Sequence, residues 1–177
     1  MDERQPGNGR QKKRDAKRVA LLGLLFALAI VLSLVESMLP VPGLPGVRLG
    51  LSNIVVMFAL LNLRKWDALF IVILKALFVM LTRGPVAGLL SLSGGLLALA
   101  IMLLLLLLRK EKATYLLISI SGAVFHNIGQ IATASIIMRT ALWPYLPVLL
   151  VSGIVTGFAT SVLLKLTSPV FLRLRLK

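Results

Sequence analysis

The chain has no cysteine. That excludes disulfides, thiolate metal sites, iron–sulfur clusters and cysteine nucleophiles. It has one histidine, His126, and only six acidic residues against twenty basic ones. A metal site needs several ligands, and one imidazole beside one interior carboxylate candidate, Glu36, does not make a set. Neither a metal nor any other cofactor is expected. The phosphate-binding pattern G-x-x-x-x-G-K-[ST] is absent, so energy from ATP would have to come from another chain. Charge is scarce altogether: 15% of residues, against roughly 25% in a soluble domain.

What is present is apolar. Of 177 residues 58% are hydrophobic, and the mean hydropathy is +0.96. Residues 95–108 carry no charge at all, so lipid is the expected solvent. The net charge of +14 invites a nucleic-acid reading. The basic residues lie at the ends of apolar runs rather than on one soluble face, which is what membrane orientation requires. Contacts with anionic lipid are expected, and nucleic acid is not.

Six apolar runs follow one another: 19–39, 49–63, 68–82, 86–108, 113–138 and 147–166. A basic arm, 1–18, precedes them and reads as disordered or interfacial on an anionic leaflet. A basic tail, 167–177, follows. Residues 33–37 make a poor leader-cleavage site, so the first run reads as a retained helix. With the N-terminus inside, the cytoplasmic segments hold sixteen Lys and Arg and the outer segments hold three, Arg48, Arg83 and Arg139. That bias supports an all-α integral membrane protein with six transmembrane helices and both termini in the cytoplasm. The second run is the anomaly. Its fifteen residues would reach about 22 Å, short of the roughly 30 Å hydrocarbon core. It must borrow from the Pro/Gly-rich stretch 36–53 or lie against a thinned or protein-lined region.

Polar groups in hydrocarbon need partners or a wet cavity. In the fifth run Ser119, Gly122, His126, Gln130 and Thr133 share one helical face, with Asn127 at its edge. That face reads either as interhelical hydrogen bonding or as a ligand wall. Lys75 reads as snorkelling to the inner interface. Glu36, near the outer end of the first helix, differs from it in depth and is not expected to pair with it. Arg48, Arg83 and Arg139 lie nearer to Glu36; they would suit an anionic ligand, or are simply tolerated at helix ends. Small residues mark close helix packing: Gly23 and Ala27 in the first run, then Gly88, Ser91, Gly95 and Ala98, then Gly122 and Gly129, then Gly153 and Gly157. The first pair could instead dock another membrane subunit.

Three stretches carry a family resemblance over roughly residues 18–166: PGVRLGLSN at 45–53, SLSGG at 91–95 and GAVFHNIGQ at 122–130. They resemble the bacterial family called Gx transporter or heptaprenyl diphosphate synthase component I, which is similar to the S components of energy-coupling factor (ECF) vitamin transporters. The resemblance implies a six-helix protein of the bacterial cytoplasmic membrane that takes a vitamin-like, anionic or amphipathic metabolite from the outer face. Gly23 and Ala27 would dock an ECF-type transmembrane coupling subunit driven by ATPases. Residues 37–44 would form a lid and 45–53 a fixed wall. The ligand-binding candidates are Glu36, Arg48, Asn53, Arg83, Ser91, Ser93, His126, Asn127 and Gln130, for a small-molecule substrate whose identity stays open. Residues 82–85 depart from the pattern expected of the family.

The family's other name implies a prenyl synthase partner. Allylic diphosphate chemistry needs paired Asp-rich motifs to hold Mg²⁺. Asp2, Glu3, Asp15, Glu36, Asp67 and Glu111 form no such pair. The chain is therefore not expected to be an enzyme, and on this name it is a non-catalytic accessory. It has no catalytic residue to nominate.

Overall fold

The structure is a computed structural model, and it describes residues 8–38, 50–109 and 114–173. The described residues form six α-helices and no strand: α1 (Asn8–Ser37), α2 (Asn53–Asn62), α3 (Lys65–Arg83), α4 (Pro85–Arg109), α5 (Tyr115–Met138) and α6 (Leu146–Arg173). A single 3₁₀ turn, Trp143–Tyr145, leads into α6. Among the described residues four segments are long and apolar enough to cross a membrane: Asp15–Ser37, Pro85–Leu108, Tyr115–Met138 and Trp143–Leu166.

The other two helices depart from a simple span for different reasons. α3 has 19 residues but carries Lys65, Asp67, Lys75 and Arg83. α2 has 10 residues and reaches about 15 Å, half the thickness of a hydrocarbon core. It is shorter than its apolar run because Gly50 adopts φ +90°, a conformation that favours glycine. A side chain at Gly50 would also meet the imidazole, since His126 Cδ2 lies 3.2 Å from the place a Cβ would take. Only after Leu51 and Ser52 does the chain become helical. The first N–H groups of α2 are satisfied locally, by Asn53 N–H to Gly50 O at 3.0 Å and Ile54 N–H to Leu51 O at 3.1 Å.

α1 begins at Asn8, inside the segment expected to be a basic arm. Lys, Arg and Gln are good helix formers, and nothing between Asn8 and Arg18 interrupts the helix. Its 30 residues span about 45 Å, some 15 Å more than a hydrocarbon core. Gln11, Lys12 and Lys17 on that extension are exposed.

Turns fix the order of the helices. Between α2 and α3 the backbone is extended at Arg64, and the Asp67 carboxylate accepts from the Arg64 N–H at 3.2 Å. The same carboxylate takes both the Nε (3.1 Å) and an Nη of Arg18, which ties the N-terminal part of α1 to the start of α3. Between α3 and α4 one residue suffices: Gly84 at φ +90°, followed by Pro85 as the first helical residue, where its missing N–H costs nothing. Arg139 ends α5 in the left-handed region, at φ 51°.

α4, α5 and α6 pack side by side, while α1 touches mainly α2 and α3. The α4–α5 crossing is close because two glycines meet. A Cβ on Gly129 would lie 2.9 Å from Gly94 Cα and 3.0 Å from Ser93 O, which is the small-residue packing expected where backbones approach. Two apolar clusters form. One joins Leu25, Val56, Ile71, Ala98, Met102 and Ile118. The other joins Leu90, Ile131, Ala134 and Leu149. Outward-facing Leu24, Leu81, Val151 and Phe158 are well exposed, a surface suited to lipid.

Candidate functional site

Between the two apolar clusters lies a buried polar layer. Glu36, Ser52, Lys75, Ser91, His126 and Gln130, with Ala87, line one small cavity. Five helices or their ends contribute. α1 supplies Glu36 near its last turn, the residue before α2 supplies Ser52, and α3, α4 and α5 supply the rest. The space left among these residues is about that of one water molecule.

The two charges in this layer are joined through a hydroxyl. Lys75 Nζ donates to Ser52 Oγ at 3.2 Å, and Ser52 O–H donates to Glu36 Oε2 at 3.0 Å. Lys75 is 1% exposed and Glu36 2%. Both sequence-based expectations about Lys75 are therefore corrected. It does not snorkel, because it stands ten residues beyond the start of α3 at Lys65, about 15 Å along the helix axis. It shares its depth with Glu36 because half-length α2 starts in the interior and places Ser52 between them. The other carboxylate oxygen, Glu36 Oε1, is buried without a hydrogen-bond partner. A buried acceptor left so is costly.

The remaining candidates divide. Ser91, His126 and Gln130 line the cavity with Glu36. Asn127 faces α6 instead, and its Nδ2 donates to Leu149 O at 2.7 Å. Ser119, on the same stretch, donates to Gly157 O at 2.6 Å. So the polar face of α5 is shared between the cavity and the α6 backbone. Ser93 Oγ contacts Leu90 O and Gly129 O at 3.2 and 3.3 Å, which serves the α4–α5 crossing. Asn53 is buried at the first position of α2, with Oδ1 lacking a partner. Arg83 donates to Ser33 O at 2.9 Å, joining α3 to α1. Arg139 is exposed at the end of α5. Arg48, the lid 37–44 beyond residue 38, and residues 45–49 of the wall lie outside the described residues. Gly23 and Ala27 are exposed on α1, and a Cβ at Gly23 would meet nothing within 4 Å.

Ser52 and Lys75 were not among the candidates. The signal for Lys75 was its distance from both ends of its apolar run. Ser52 lies in the Pro/Gly-rich stretch 36–53, one residue before Asn53, with nothing in its type to raise it above its neighbours.

The model of one protein family, heptaprenyl diphosphate synthase component I, matches residues 25–167. The chain belongs to that family. The match runs from within α1 to within α6 and so takes in every residue that lines the cavity. As a component I, the chain is not itself an enzyme. No curated protein matches the chain, and no solved structure matches it. The likeness to ECF S components therefore rests on the sequence resemblance alone.

Proposed function

We propose that this chain is a membrane-embedded, non-catalytic component of heptaprenyl diphosphate synthesis, which holds a soluble catalytic partner against the bilayer. The family match over residues 25–167 carries this reading. The chemistry supports it: a growing prenyl chain is apolar and its diphosphate end is not, so a synthase gains from working at a lipid surface. The basic extension of α1, with Lys12 and Lys17 exposed, offers such a partner a positively charged helix that stands clear of the hydrocarbon. In this reading all six helices lie in the cytoplasmic membrane of a bacterium, α2 as a half-span, with both termini in the cytoplasm. The test is co-expression with a prenyl diphosphate synthase subunit. The pair should co-purify, and long-chain product should depend on this chain. A catalytic subunit of undiminished activity without it would refute the reading.

The buried layer favours a second reading, in which the chain binds a small molecule in the manner of an ECF S component. A cavity with an unpartnered carboxylate oxygen is more than packing requires. Glu36, Ser91, His126 and Gln130 would contact the ligand, with Lys75 and Ser52 added. Gly23 and Ala27, exposed on α1, would meet a transmembrane coupling subunit. Mass spectrometry of the purified protein should then find a co-purifying metabolite. No ligand, and no thermal shift across vitamins and quinone precursors, would count against it.

A further inference from the structure

On two neighbouring helices charge gives way to exposed apolar side chains at one level of the bundle. On α1 Lys17 is exposed, and Val19, just past Arg18, is 68% exposed. On α3 Arg64 and Lys65 are exposed at its start, Trp66 follows at 66% and Phe70, one turn on, at 52%. The Arg18–Asp67 pair sets these two borders side by side, since one buried carboxylate takes two guanidinium nitrogens. Four cations stand at this joint, Lys17, Arg18, Arg64 and Lys65, against two carboxylates, Asp15 and Asp67. Asp67 is committed to Arg18 and to the Arg64 N–H. Lys17, Arg64 and Lys65 form no ion pair with a described residue. Lys65 Nζ lies 5.8 Å from the centre of the Trp66 ring, within cation–π range, so indole and ammonium are presented together.

We propose that the α1–α3 joint is a binding site for an acidic phospholipid, with Lys17, Arg64 and Lys65 around its phosphate and Trp66 and Phe70 against the first part of its acyl chains. A basic patch alone would attract any polyanion. The exposed Val19, Trp66 and Phe70 directly beside it narrow the choice, because only an amphiphile matches both the charge and the apolar surface. The inference rests on the placement of these helices in a membrane and on neither partner reading above. Lys12, farther out on α1 and also exposed, stays available to a soluble partner.

The chain reports on this site itself, because Trp66 and Trp143 are its only tryptophans and Trp143 belongs to the turn before α6. The full chain carrying Trp143→Phe is placed in phosphatidylcholine vesicles with a minority of phosphatidylglycerol, of one overall composition throughout. In one set the phosphatidylglycerol chains are brominated; in the other an equal number of phosphatidylcholine molecules are. Trp66 emission should be quenched about twofold more, or better, in the first set. Adding Lys17→Gln/Lys65→Gln should abolish the difference, whereas Lys17→Arg/Lys65→Arg should keep it; both positions are exposed, so the fold tolerates either change. Trp143, read in the Trp66→Phe chain, should show no preference. Equal quenching of Trp66 in the two sets would overturn the proposal, as would a preference that survives the Gln pair or one of equal size at Trp143. So would displacement of the brominated phosphatidylglycerol by an equal amount of geranylgeranyl diphosphate but not by inorganic diphosphate, which would make the occupant a prenyl diphosphate.

Discussion

Lys75 and Glu36 lie on helices 39 positions apart in sequence, yet one side chain, Ser52, touches both, at 3.2 Å and 3.0 Å. The bridge fixes three elements at once: the last turn of α1, the start of α2 and the middle of α3. It also makes the two charges interdependent. Lys75→Met alone would leave the buried Glu36 carboxylate without the ammonium bridged to it, with Arg83 as its remaining electrostatic partner, and should cost about 3 kcal/mol. Adding Glu36→Gln should recover part of that loss rather than deepen it. Unfolding of both single variants and the double variant in detergent gives the coupling. Strictly additive losses would show that the two residues act separately.

The α4–α5 crossing should be intolerant of a single methyl group. Gly129→Ala places a Cβ within 3.0 Å of two backbone atoms of α4, and neither can swing away. A loss of about 1–3 kcal/mol is expected. Gly23→Ala is the matched control, because a Cβ there meets nothing within 4 Å and Ala is the better helix former. Its stability should be unchanged or slightly raised. If Gly23 faces a partner subunit, Gly23→Leu would weaken co-purification while the isolated chain keeps its unfolding midpoint.

Asp67 caps α3 and holds Arg18 through the same carboxylate. Asp67→Ala should lower stability by about 1–2 kcal/mol, the ordinary size of a lost cap. Arg18→Ala made in that background should add little. A further full-sized loss would mean that Arg18 has another role.

Orientation can be read directly, because the absence of cysteine makes every introduced thiol unique. A cysteine at Lys12 or Lys65 should be shielded in intact cells from an impermeant maleimide, whereas one at Thr140 should react. All three positions are exposed. Labelling at Lys12 in intact cells would reverse the cytoplasmic assignment of the N-terminus.

The helical layout was legible because charged and Gly/Pro residues punctuate apolar runs. Gly84-Pro85 and Arg64-Lys65 mark breaks that any reading would place. The brevity of α2 was visible as a run too short to span. What could not be read was depth. Counting from helix ends set Glu36 and Lys75 apart, and only the interior start of α2 brings them together. The serines were ambiguous for another reason. A hydroxyl can bond to a nearby carbonyl as readily as to a distant group, so Ser93 and Ser91, two residues apart on α4, read alike although one serves the crossing and the other the cavity. Asn127 was ambiguous in the same way: its amide matches a ligand's needs and the α6 backbone equally well. The helical start of α1 was missed because hydropathy reports solvent preference, whereas Lys, Arg and Gln favour the helix regardless of solvent.

The half-length of α2 has an electrical consequence. It holds opposite charges together inside the bundle, and a neutral pair at one depth feels almost no net force from a voltage across the bilayer. A chain left with one of the two would carry an elementary charge in that field, where a full crossing is worth about 2.3 kcal/mol per 100 mV. The stability of a Lys75→Met or Glu36→Gln chain should then depend on whether the membrane is energised, with opposite signs for the two, while the native pair remains indifferent.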